Sequence, residues 1–105
     1  MKDLKEIIDL LENAKEIITV EAIVGDDGLC NFTPTMQKAE KDINKAFFFL
    51  HSFTDEAMKK EGKYICFEIN KISEKLKRSP FDFRSVMTSF KDVIIDLKEI
   101  NNKGV

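Results

Sequence analysis

The chain has 105 residues, 43% hydrophobic and 34% charged, with 17 Lys and Arg against 19 Asp and Glu and a net charge of −2. That length suits one core and one domain, expected to span residues 1–105. The charge balance excludes a strongly basic nucleic-acid-coating protein, and no apolar run approaches the roughly 18 residues of a membrane-spanning helix.

Lys, Glu, Asp, Ile and Leu dominate, with four Gly and two Pro, a composition that favours helices over a β-sandwich. Nine Phe stand against one Tyr and no Trp, which supplies core bulk without polar tips to satisfy. Charge is unevenly placed. Residues 1–35 carry three Lys against eight acidic residues (−5), whereas residues 63–78 carry four Lys and one Arg against two Glu (+3).

Residues 2–24 are read as the first helix. Leu4, Ile7, Leu11, Ala14 and Ile18 step by three and four, Ile8 and Leu10 widen the stripe, and Asp3 and Glu6 suit the positive end of the helix dipole. The β-branched stretch from Ile17 to Val24 also fits a short strand. Gly25-Asp26-Asp27-Gly28 is turn chemistry that either ends the helix or closes a hairpin with Leu29–Phe32; the ligand spacing of a calcium loop is absent.

Thr33-Pro34 and Ser79-Pro80 repeat one form, a hydroxyl residue followed by proline. Proline fits the first helical position, so helices are expected to start at Pro34 and Pro80, with Ser79 and Asp82 at capping-box spacing. The second helix, 34–51, is the organising one: Met36, Ala39, Ile43, Ala46 and Leu50 lie on one stripe, which Phe53 continues.

Met58, Ile65, Ile69, Ile72 and Leu76 form a third stripe one position out of phase with the second. This favours a break near 52–54, with Ser52, Thr54 and Asp55 as start signals, and a third helix over 55–78 in which Gly62 marks a close contact or a kink. Tyr64–Ile69 has a competing strand reading. The fourth helix, 80–101, carries Phe83, Val86, Phe90, Val93, Leu97 and Ile100 and ends at Asn101-Asn102-Lys103-Gly104. The expected class is therefore all-α, a small antiparallel four-helix bundle; the alternative is α+β with short strands near 17–32 and 63–69.

Catalytic equipment is sparse. His51 is the only histidine, with Asp55 four positions on, and Cys66 would join it only if the fold carried it across. One His and two separated cysteines, Cys30 and Cys66, make no zinc pattern, and Phe48 stands where a di-iron Glu-x-x-His pair would need its Glu. No glycine-rich phosphate loop is present. The chain is read as a non-enzyme with no cofactor and no metal. Its N-terminus is charged and amphipathic from Lys2 onward, so a cytoplasmic protein with reduced thiols is expected.

What remains is surface. At 100° per residue Phe48 points away from the Ala46–Leu50 stripe, among Lys41, Asn44, Lys45, His51, Ser52 and Asp55. Ile95 does the same on the last helix, among Thr88, Lys91, Asp92 and Glu99. The candidate partner-binding residues are Phe48, Phe47, His51, Phe49 and Ile95, unless the Leu29–Phe32 loop covers Phe48. A second candidate, for an acidic partner, is the basic set Lys63, Lys71, Lys75, Lys77 and Arg78. The functional expectation is a helical protein-interaction module of adaptor, inhibitor, immunity or assembly-subunit type, contacting a protein partner or itself. No small-molecule substrate and no membrane are expected. The alternatives are a nucleic-acid-associated protein using 59–78 and a structural homo-oligomer.

Overall fold

A computed structural model describes residues 4–52 and 59–103. Four helices account for most of them: α1 (Leu4–Glu21), α2 (Gln37–His51), α3 (Lys59–Lys77) and α4 (Phe83–Lys103). Two two-residue strands, β1 (Leu29–Cys30) and β2 (Phe81–Asp82), sit in the connections between α1 and α2 and between α3 and α4. The all-α bundle is the architecture observed.

Each helix contributes one stripe to a shared core. α1 buries Leu4, Ile7, Ile8, Leu11, Ala14 and Ile18, and α2 buries Ala39, Ile43, Ala46 and Leu50. α3 adds Ile65, Cys66, Ile69, Ile72 and Leu76, and α4 adds Val86, Phe90, Val93, Ile94 and Leu97. α1 packs on α2 and α4, and α3 packs on the same two helices. The side chains that bridge the seams fix the directions. Asn13 donates to Asp42 Oδ2 at 2.8 Å, Lys98 pairs with Glu12 at 2.8 Å, and Lys77 lies 3.9 Å from Glu40. Lys75 donates to Ser85 and Ser89, both at 2.9 Å. Glu12 meets Lys98 whereas Thr19, further along α1, donates through its hydroxyl to Met87 Sδ at 3.4 Å, and Lys77 at the end of α3 meets Glu40 at the start of α2, so these neighbouring helices run antiparallel.

α1 ends earlier than residue 24. Its last bond runs from the Ala22 N–H to the Ile18 carbonyl at 2.9 Å. Val24 is extended and bridges Cys30, and the Gly25 N–H donates to the Leu29 carbonyl at 2.9 Å. Ile23 and Val24 lose less side-chain freedom in an extended chain than in a helix, and the Gly25–Gly28 turn returns a partner to them. Gly28 has φ +81°, where a Cβ would be strained, and Asp27 Oδ1 accepts the Leu29 N–H at 3.0 Å. The hairpin alternative is thus realised over a few residues only. The 63–69 strand alternative is not: that stretch lies inside α3, where Ile65 and Ile69 continue the core stripe.

The two prolines behave differently. Thr33 is extended at φ −99°, and Pro34 opens a short 3-10 turn (Pro34–Met36) that runs into α2. Pro80 starts no helix; the expected start there is displaced to Phe83. Phe81–Asp82 instead pairs antiparallel with β1, Cys30 opposite Phe81 and Leu29 opposite Asp82, and Phe81 is buried. Asp82 is the cap of α4, its Oδ1 accepting the Ser85 N–H at 3.1 Å. Ser79 makes no capping box: its hydroxyl accepts the Phe32 N–H at 3.2 Å.

α2 ends at His51, and Ser52 donates through both its N–H (3.1 Å) and its hydroxyl (3.0 Å) to the Phe48 carbonyl. The expected start signals at Thr54 and Asp55, and the stripe residues Phe53 and Met58, lie outside the described residues. Gly62 sits within α3, and a Cβ built there meets no atom within 4 Å, so it marks no close helix contact.

Candidate functional site

Three consecutive phenylalanines on a helix spread over about 200° of its circumference, so α2 cannot bury all of them. Phe47 and Phe49 are half-buried against the core, whereas Phe48 is 71% exposed. His51 is also exposed, and its ring lies 6.0 Å from that of Phe47 with an interplanar angle of 33°. Phe47, Phe48 and His51 therefore share the C-terminal end of α2. The Leu29–Phe32 loop does not cover Phe48. It is laced to Ser79, Phe81 and Asp82 at the end of the bundle where α2 begins. Ile95 is exposed on α4, and α2 and α4 are not neighbours around the bundle, so it does not extend the Phe48 patch.

The five cations of the basic set divide. Lys75 is half-buried and drawn into the α3–α4 seam by Ser85 and Ser89, and Lys77 reaches Glu40 across the α2–α3 seam. Lys63, Lys71 and Arg78 are exposed. Lys71 Nζ lies 4.8 Å from the centre of the Phe67 ring, a cation–π contact. Phe67 and Tyr64 are 58% and 60% exposed, and neither belonged to the expected site. Their signal was present in the sequence: Lys60, Tyr64, Phe67 and Lys71 step by four and three on the side of α3 opposite Ile65, Ile69 and Ile72.

Burial and neighbouring charge shift two of the described titratable groups. Burial raises the pKa of the Cys66 thiol, which disfavours the nucleophilic thiolate. Cys30 is buried as well, and both thiols are free. Asp96 has a raised pKa, first through desolvation and then through Glu99, Asp92 and Glu68. Among the described residues no three His, Cys, Asp or Glu side chains cluster closely enough to hold a metal ion, and no helix is long and apolar enough to cross a membrane. Comparison of this chain with protein-family models, curated proteins and solved structures finds no match.

Proposed function

We propose that this protein works by binding another macromolecule, through the C-terminal end of α2, and carries out no catalysis. The observation that supports this reading is Phe48, a phenyl ring held 71% exposed between two ring neighbours that are turned inward. Anchors of this type dominate interface energetics because burying them on binding removes a large apolar area from water. The Phe47 and His51 rings lie 6.0 Å apart at the same end of the helix. An adaptor, inhibitor or assembly subunit needs only such a presented surface on a rigid scaffold.

The test is affinity capture from the native host with wild type and Phe48→Asp side by side, alongside thermal melts of both. Partners lost with Phe48→Asp at an unchanged melting temperature support the reading. An unchanged set of partners overturns it. Light scattering of the purified chain separates a second copy from a different protein as the occupant.

A further inference from the structure

α3 carries two stripes, one on each side. The inner one is the core stripe Ile65, Ile69, Ile72 and Leu76. The outer one runs Lys60, Tyr64, Phe67, Lys71 and Glu74, with Lys63 beside the two rings, and all six are exposed; Arg78, also exposed, follows just past the end of the helix. Steps of four and three form a seam along which a second helix packs at about 20°. From Lys60 to Lys71 the stripe is about 17 Å long, roughly three helical turns. The aromatic pair sits at its centre, cations lie at both ends, and Lys71 leans over the Phe67 ring.

The charge on this face narrows the occupant. A second copy docked face to face about a two-fold axis would bring two net-positive faces together, since Lys60, Lys63, Lys71 and Arg78 outnumber Glu74 on each. A nucleic-acid strand or an anionic membrane presents negative charge without interruption. Immediately beside the rings, Glu68 follows Phe67 and joins Asp92, Asp96 and Glu99 of α4 in an acidic rim; their mutual influence is felt at Asp96. A polyanion laid along α3 would run against that rim. A protein helix places its carboxylates only where cations await them.

We infer that the outer face of α3 docks an acidic amphipathic helix of another protein. Its apolar stripe lies over Tyr64 and Phe67, and its flanking carboxylates meet Lys60, Lys63, Lys71 and Arg78. The rings supply the desolvated centre, and the cations steer the approach and set orientation. The inference rests on the reading that the chain acts by binding, and adds a second surface, on a different helix from Phe48, with a stated partner chemistry.

The probe is a labelled synthetic peptide of about 18 residues, with Leu on one helical stripe and Glu on its flanks, followed by fluorescence anisotropy. The expected result is saturable binding, weakened about tenfold or more by Phe67→Ala and by Lys71→Glu, and lost when the Leu spacing is scrambled at constant composition. Three results overturn the inference: no saturation at millimolar peptide; equal affinity for the scrambled peptide; or tighter binding of an oligothymidylate or phosphatidylserine vesicles to the same face at the same salt. Circular dichroism of both variants controls for folding. The capture experiment reads Phe48 and the peptide titration reads Phe67 and Lys71, so failure at α3 and failure at α2 are read separately.

Discussion

The Phe32 N–H donates to the Ser79 hydroxyl at 3.2 Å, joining residues 47 positions apart. With the β1–β2 pair and the bond from the Phe83 N–H to the Gly28 carbonyl (3.2 Å), it laces the α1–α2 connection to the α3–α4 connection. One end of the bundle is thereby closed by hydrogen bonds, two sets from the backbone alone and one accepted by the Ser79 side chain. Ser79→Ala removes one such bond and is expected to destabilise the protein by about 0.5–1.5 kcal/mol, seen as a drop in melting temperature. No change would show that the strands alone hold this end.

Asp82 is expected to matter as the cap of α4. Asp82→Ala leaves the Ser85 N–H without its acceptor and should lower stability by about 0.5–2 kcal/mol, measured by urea unfolding. Asp82→Asn should retain most of it, since an amide oxygen accepts the same bond.

Gly62 is the opposite case. It sits inside α3 with open space where a Cβ would project, so Gly62→Ala should raise stability by about 0.4–1 kcal/mol, mainly by reducing the freedom of the unfolded chain. A loss of stability in the same unfolding assay would reveal a requirement for glycine.

Two phenylalanines should separate folding from binding. Phe90 is fully buried, and Phe90→Ala should cost about 3–5 kcal/mol. Phe48 is exposed, and Phe48→Ala should change the stability of the isolated chain by no more than about 0.5 kcal/mol. Chemical denaturation of the two variants tests both.

Asp96 gives a pH dependence of known sign. Its pKa is raised in the fold, so the folded state holds its proton to higher pH than the unfolded chain does. The ionised form therefore opposes folding above the folded pKa, and that penalty disappears as pH falls through it. Asp96→Asn should raise the melting temperature near neutral pH, and the gain should shrink toward acid pH. A gain independent of pH would point to a cause other than charge.

Much of this molecule could be read from residue spacing. The four stripes, the turn at Gly25–Gly28, the start at Pro34 and the outward direction of Phe48 follow from periodicity and local backbone preference, which act over a few residues. The end of α1 at Glu21 and the start of α4 at Phe83 do not, because Val24 and Phe81 each take their extended form from a pairing with Cys30. Ser79 likewise turns from a helix cap to a cross-connection because the Phe32 N–H arrives beside it.

The surfaces divide in the same way. That Lys75 is drawn into a seam, and that Lys77 stays exposed while pairing with Glu40, could not be foreseen, since their partners Ser85, Ser89 and Glu40 come from other helices. Tyr64 and Phe67 could have been found by extending the wheel to the outer side of α3. Local sequence determined which side chains face inward on each rod, through the 3.6-residue period. Tertiary structure alone decided the order of the rods, the strap that closes one end and which cations stay at the surface, because each depends on contacts between residues far apart in the chain.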